Sequence, residues 1–373
     1  MGRQEVVRMA VMSGSEAMVE ALRNEGVTIV MGVVGSAFMD ALDIFPQAGI
    51  RFLPVRHEQS AAHMADGYAR VTGRPGVCTG QNGPGVTNMV TGIAAAYLAH
   101  SPVILLSPAA TSASVGTDGF QETEQMKIFA GITKYQVRVD RADRFPEFFR
   151  NAYRIALAEL GPVQVDFPRD YLYHEVDVEI IPPDRYRVAA RGAGDPGALQ
   201  AAAALLAKAE HPVLLAGLGT VYAGAQGEVA ELAEFLTAPV VTSYLHNDAF
   251  PARHPLAAGP IGYGGSKAAM QVLSKADVVL ALGSRLSIFG TLAQYGFDYW
   301  PKGAKLIQVD VNPRQIGRVK PFDVGILGDA KVAAAEILRR VRVLLPDRKP
   351  HSARLDAVRQ AKQAWAEELQ KLS

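Results

Sequence analysis

The sequence predicts an α/β protein made of two doubly wound parallel-sheet domains followed by a C-terminal helical tail. Three observations carry that expectation. Short β-branched runs alternate with helical segments through the first half, a polar, breaker-rich stretch interrupts them, and the alternation then starts again. At 373 residues the chain exceeds one ordinary core, given roughly 100–200 residues per domain. Domains are therefore expected at 1–178 and 195–346, with a linker over 179–194 and a tail over 347–373.

Taken in order, Ser13 followed by Glu16 is a capping box that opens a helix running to about Asn24, before Gly26. Runs at 28–31, 76–79, 103–106 and 163–167 read as strands, and segments at 38–44, 58–71, 86–99 and 146–159 read as helices. Alternation of this kind favours a parallel sheet covered on both faces. Pro182, Pro183 and Pro196, with Gly192 and Gly194, mark the linker. Beyond it come a helix at 196–209, a strand at 213–216, a helix at 226–236 and strands at Val240, Val278 and Leu306. After the breakers of 345–350, residues 352–372 read as a helix without a sheet of its own.

Composition narrows the function. Apolar residues make up 49% and charged residues 20%, enough to bury real cores. Lys plus Arg number 38 against 37 acidic residues, so the net charge of +1 provides no field for nucleic acid or an anionic membrane. Cys78 is the only cysteine, which excludes an intrachain disulfide and a cysteine zinc cluster and fits a reducing, cytoplasmic setting. Residues 1–10 lack the apolar stretch of a secretory signal. The apolar runs at 103–106 and 278–282 fall far short of the roughly 20 residues that span a bilayer.

Chemistry concentrates in the first half. Glu58 stands at a strand-to-helix junction, where open α/β sheets place ligands, although a helix-start carboxylate stabilised by the macrodipole has the same position. On the following helix Ala61, Ala65 and Ala69 recur every fourth residue, a face suited either to close pairing of two molecules or to internal packing. The stretch 81–88, Gln-Asn-Gly-Pro-Gly-Val-Thr-Asn, follows a strand and opens a helix, so backbone amides can face a ligand there. It lacks the lysine of a P-loop and the spacing of Gly-x-Gly-x-x-Gly, which excludes a nucleoside triphosphate or Rossmann dinucleotide site at that point.

Gly32-Val-Val-Gly35, His57-Glu58, Asp66-Gly-Tyr-Ala-Arg70, Asn82-Gly-Pro-Gly85 with Thr87-Asn88, and Phe120-Gln-Glu122 together resemble the pyrimidine-binding domain of the acetolactate-synthase-like thiamine diphosphate enzymes. The second half resembles their central domain through Pro212–Gly217, Ala276–Gly283 and Ile307–Pro313. Within the family, Gly35-Ser-Ala37, Gly80–Gly85, Gly119–Glu122 with Gln125-Met126, and Tyr244–Pro251 are most similar to members that cleave sulfoacetaldehyde with phosphate, releasing sulfite and acetyl phosphate. The resemblance implies thiamine diphosphate with Mg²⁺ as cofactor. Glu58 becomes the carboxyl group that hydrogen-bonds the aminopyrimidine ring and favours the imino form able to take the thiazolium proton. Gln121 and Asn82 are placed near the reacting carbons, and Gly35, Ser36, Gly83, Pro84, Gly85 and Asn88 near the cofactor. His57 is a candidate acid/base group, and Arg56, Arg169 and Arg285 are candidate sulfonate or phosphate ligands.

The resemblance also implies a homodimer or tetramer. Relatives of this organisation continue into a domain where Gly-Asp-Gly and a later Asn hold Mg²⁺ and the diphosphate, and this sequence contains no Gly-Asp-Gly. Gly328-Asp329 is followed by Ala330 and reads as a helix N-cap, so no metal site is expected here and the diphosphate-binding domain is expected on a missing or separate segment. Leu286-Ser-Ile-Phe289 departs from the pattern of FAD-containing relatives, so FAD is not expected, and Gly217-Leu-Gly219 is read as structural. Two other readings stand beside this one: an acetolactate synthase or related 2-oxoacid decarboxylase, and a non-catalytic binding or assembly module.

Overall fold

The computed structural model describes residues 8–371, so the reading of residues 1–7 as free of a secretory signal lies outside the described residues. Two compact units emerge, Met1–Ala189 and Ala190–Ser373. Each is an α/β unit built on a six-stranded, all-parallel sheet.

The first unit opens with β1 (Arg8–Ser13) and α1 (Gly14–Asn24), whose capping box is formed between Ser13 and Glu16. It continues through β2 (Ile29–Gly32), α2 (Met39–Ile44), β3 (Arg51–Pro54), α3 (Glu58–Thr72), β4 (Gly76–Thr79), α4 (Pro84–Thr87), α5 (Val90–Ala99) and β5 (Val103–Ala109). Then come α6 (Gln125–Phe129), β6 (Tyr135–Arg138), α7 (Phe145–Glu159), β7 (Val163–Pro168) and β8 (Glu175–Ile180). The sheet order is β3-β2-β4-β5-β7-β6, and β1 and β8 form a separate antiparallel ribbon. The unit runs past residue 178 because β8 is held by β1 and because Tyr186 and Arg187 both engage the buried Glu25 carboxylate.

Successive residues of the central strands face opposite cores, which is why those strands are mainly apolar, with Ser107, Gln164 and Asp166 as buried polar exceptions. Val30, Val77 and Ile104 pack with α1, α2 and α7, while Met31, Cys78 and Leu105 pack with α3, α4 and α5. Burial pushes the Cys78 thiol up to about 12, which makes it a packing residue. Ala61, Ala65 and Ala69 are fully buried within this one chain. A side chain on Gly92 of α5 would sit 2.5 Å from the Ala62 methyl, and one on Gly76 of β4 would overlap the Ala65 backbone. Ala62 thus brings α5 close to α3 and Ala65 does the same for β4, and of the two uses open to the stripe, pairing of two molecules and internal packing, the burial of its methyls within one chain supports the second.

The second unit comprises α8 (Pro196–Lys208), β9 (Pro212–Ala216), α9 (Leu218–Ala223), α10 (Gln226–Leu236), β10 (Val240–Ser243), β11 (Ala257–Ile261), α11 (Lys267–Leu273) and β12 (Val278–Leu282). It is completed by α12 (Ile288–Thr291), β13 (Lys305–Asp310), β14 (Val324–Leu327), α13 (Ala330–Leu344) and α14 (Ser352–Gln370). Its order is β11-β10-β9-β12-β13-β14. Asp329 caps α13 by accepting from Lys331 N and Val332 N at 3.0 and 3.2 Å. The C-terminal helix α14 is docked. Val358 enters a core of this unit, and the buried Arg354 donates to the carbonyls of Leu236, Ala209 and Glu210, where α10 and α8 end. Among the described residues no helix is long and apolar enough to cross a membrane.

Candidate active site

In the first sheet β2 is flanked by β3 on one side and β4 on the other. The chain leaves β2 towards the core that holds α2 and leaves β4 towards the core that holds α4 and α5, so the loops after these neighbouring strands diverge. A crevice opens at such a switch point. Into it run residues 33–38, residues 80–83 and the first turn of α3.

Glu58 is the first residue of α3, and His57 before it caps the helix by accepting from Gln59 N through Nδ1 at 3.2 Å. The Glu58 side chain is buried. Its Oε2 accepts from Asn88 Nδ2 at 2.9 Å, and no described residue donates to Oε1. Two glycines make room for it. A Cβ on Gly80 would stand 2.9 Å from Glu58 Cγ, and one on Gly85 would stand 3.1 Å from Oε1. A buried carboxylate with one open oxygen on a glycine-lined wall suits a planar nitrogen heterocycle that offers a hydrogen bond, so this part fits the pyrimidine end of thiamine diphosphate. Among the described residues no group of three or more His, Cys, Asp or Glu could hold a metal ion.

The amides of the crevice form one connected group. Gln81 is its hub: Nε2 donates to Asn82 Oδ1 at 2.6 Å and Gln121 Oε1 at 2.9 Å, with Ser36 Oγ at 3.3 Å, while Oε1 accepts from Ala37 N at 3.1 Å. Any side chain at Gly35 would overlap Gln81, which accounts for that glycine. Asn82 Nδ2 donates to the carbonyls of Phe120 and Gln121 at 3.1 and 3.4 Å. Expected beside the reacting carbons, Asn82 instead uses its amide to hold the loop that carries Gln121. Gln121 is half-buried with φ of 57°, and no described residue accepts from its Nε2. Pro84 begins α4 in the open and Asn88 is exposed except for its hold on Glu58. Glu122 closes the same loop by accepting from Gly116 N at 2.7 Å and Gly119 N at 3.1 Å, and these donors hold its carboxyl below the usual range.

The structure therefore brings Glu58, Gly35, Ser36, Asn82, Gly83, Pro84, Gly85, Asn88 and Gln121 to one crevice or its lining turns. Arg56 is exposed before α3, Arg169 donates to the Tyr173 hydroxyl at 3.0 Å, and Arg285 is exposed in the second unit. Sequence reasoning missed two residues, Gln81 and Gln125. Their signal was the amide-rich spelling of the two loops, Gln81-Asn82 and Gln121 with Gln125.

In the second sheet the matching crevice lies between β9 and β12, and it is closed by the chain itself. Gly217 N donates to Leu282 O at 3.0 Å and Gly219 N to Gly283 O at 2.9 Å. A Cβ on either glycine would stand 2.6 Å from Gly283 atoms. The backbone amides that a phosphate would need are used in holding the loops together.

Residues 12–128 match the family described as thiamine pyrophosphate enzyme, N-terminal TPP binding domain, and residues 199–339 match thiamine pyrophosphate enzyme, central domain. The chain is 54% identical over 359 residues to the sulfoacetaldehyde acetyltransferase of Alcaligenes xylosoxydans xylosoxydans, covering 96% of this chain and 59% of that protein. It is 51% identical over 371 residues to the sulfoacetaldehyde acetyltransferase of Castellaniella defragrans, covering 98% and 61%. A probable acetolactate synthase large subunit of Methanocaldococcus jannaschii is 39% identical over 332 residues, covering 88% and 56%. The chain spans about three fifths of the length of the curated relatives it matches.

Proposed function

Since the chain belongs to the thiamine pyrophosphate enzymes, through their N-terminal and central domains, we propose that it serves a thiamine-diphosphate-dependent acetyltransferase that converts sulfoacetaldehyde and phosphate into acetyl phosphate and sulfite. The observation that carries the reading is the buried Glu58 carboxylate, fixed by Asn88 on one oxygen and open on the other. When bound, thiamine diphosphate supplies a carbon nucleophile and an electron sink, leaving binding, orientation and electrostatics to the protein.

Glu58 meets the aminopyrimidine ring as its hydrogen-bond partner through the open Oε1, and Asn88 keeps the carboxyl group from turning out to solvent. Gln121 offers its open Nε2 to an oxygen of the reacting carbonyl, with Gln81 and Asn82 fixing its place. A preorganised donor of this kind stabilises developing charge without reorganising. Mg²⁺ would accompany the diphosphate and takes oxygen ligands, so Glu58 and its amides are assigned to the pyrimidine and carbonyl ends only. A homodimer or tetramer is part of the same proposal, formed through a surface other than the buried Ala61, Ala65 and Ala69 face.

The test is product analysis. With a diphosphate-binding domain supplied alongside thiamine diphosphate, Mg²⁺, sulfoacetaldehyde and phosphate, sulfite and acetyl phosphate should form in equal amounts, the 373-residue chain by itself should be inactive, and Glu58→Gln should abolish both products. Acetolactate from pyruvate without sulfite release would move the substrate assignment to the synthases. Full turnover by Glu58→Gln would remove the role given to that carboxylate.

A further inference from the structure

Gln125 opens α6 and is 1% exposed, and its amide is engaged at both ends. Nε2 donates to Pro108 O at 2.7 Å and to Asp166 Oδ2 at 2.6 Å, while Oε1 accepts from Gly83 N at 3.2 Å. Asp166 is wholly buried on β7 and also accepts from Arg138 Nε at 2.6 Å and Ser107 Oγ at 3.2 Å. Burial raises its carboxyl above the ordinary range, while Arg138, Gln125 and Ser107 act in the opposite direction. Pro108 O and Asp166 Oδ2 both accept from Gln125 Nε2, which turns the NH₂ group towards them and leaves the Gln125 carbonyl for Gly83.

Gly83 is the point where this buried network reaches the crevice. Its φ of 69° and ψ of −108° suit only glycine, and any side chain there would overlap the Gln121 carbonyl oxygen. Asn82, one residue earlier, holds that same carbonyl and the one before it. Gln121 itself sits in the left-handed region, which a residue with a Cβ adopts only when its surroundings impose it.

We propose that Gln125, oriented by Pro108 O and Asp166, is a positioning residue that pins Gly83 N and so sets where the Gln121 amide stands beside Glu58. Gln125 touches neither substrate nor cofactor and acts through the Gly83 turn. The assignment rests on the reading of Gln121 as a ligand-facing group.

Hydrogen exchange on the chain, and steady-state kinetics on the chain supplied with the diphosphate-binding domain, thiamine diphosphate and Mg²⁺, test it together. Gln125→Met keeps length and apolar packing but deletes the three hydrogen bonds. It should speed exchange at Gly83 and over 119–122 about tenfold or more. It should lower kcat about tenfold or more, with KM for the aldehyde and for thiamine diphosphate within about twofold, because a small misplacement near reacting atoms is expensive. Asp166→Asn should loosen the same amides by less, since a carboxamide oxygen can still accept from Gln125 Nε2 and Pro108 O keeps that NH₂ group turned away from Gly83. Val165→Ala, a cavity on the same strand facing the other core, controls for general damage and should leave exchange at Gly83 unchanged. Unchanged exchange at Gly83 in Gln125→Met overturns the proposal, as does faster exchange with unchanged kcat, or equal loosening by Val165→Ala. If the unmodified chain, supplied with the diphosphate-binding domain, shows no thiamine-diphosphate-dependent turnover, the proposed function falls by itself. The exchange comparison then still decides whether Gln125 pins Gly83.

Discussion

Asn88 Nδ2 lies 2.9 Å from Glu58 Oε2, so a residue exposed on the far side of the Gly-Pro-Gly turn holds the one buried carboxylate of the crevice. Asn88→Ala removes the hydrogen bond to Glu58 Oε2 and leaves a buried oxygen unsatisfied, a cost of about 1–3 kcal/mol. Turnover is expected to fall about tenfold or more, since 1.4 kcal/mol is a factor of about ten. The same loss should lower the melting temperature of the first unit by a few degrees, at about 2–4 °C per kcal/mol. Kinetics alongside thermal unfolding check this, and a large loss of stability with intact turnover would contradict it.

Ala65→Leu should destabilise the first unit by about 1–3 kcal/mol through overpacking. The added side chain meets Gly76 and the packed α5 face rather than a second molecule. The loss is therefore expected to be the same at all protein concentrations. A melting shift that vanishes on dilution would return the alanine face to an intermolecular role.

Glu122 gives a pH effect with a definite sign. Hydrogen bonds from Gly116 N and Gly119 N lower its folded-state value below the ordinary 4.5. A lowered value contributes order that is fully present above the ordinary carboxylate range and is lost as pH falls through the folded value. Normalised for intrinsic chemistry, exchange at Gly116 and Gly119 should therefore rise as pH drops below about 4.5. Glu122→Gln should make both amides insensitive to pH over that range.

Arg354 supports the second unit by capping two helix ends at once. Arg354→Met leaves the carbonyls of Leu236, Ala209 and Glu210 without those donors, and the unit should lose about 3 kcal/mol, with α14 becoming the preferred site of proteolysis. Arg354→Lys should recover only part of this, because an ammonium group lacks the planar fork. Denaturant unfolding followed by peptide mapping checks both variants.

The strands that were legible are those buried on both faces. β4, β5, β9 and β12 read as short, mainly apolar runs because each has a core on either side, and the β-branched and aliphatic residues of β7 and β13 still marked those strands beside their buried Gln164, Asp166 and Gln308. β3 and β6 form the edges of the first sheet and carry polar or breaker residues in Arg51-Phe-Leu-Pro54 and Tyr135-Gln-Val-Arg138, which hid them. β8 alternates charged and apolar residues from Glu175 to Ile180 with every second one buried, yet the prolines that follow make its end look like linker. The single helix expected over 86–99 is two, since the chain turns at Asn88 and Met89. Of the site, Glu58 and Gln121 stood out in their motifs. The roles of Gln81 and Gln125 depend on partners about forty residues away, and no local pattern encodes such a meeting.

The ribbon of β1 with β8 binds the opening of the first unit to its close, Ser13 opposite Glu175 and Arg8 opposite Ile180. During synthesis β1 leaves the ribosome long before its partner, and the entropy of that long loop is met only when β8 appears. The ribbon is thus a latch fastened last, after every strand of the sheet has been made. It also leaves the two ends of the unit side by side, which makes this half of the chain a natural cassette for insertion or circular permutation.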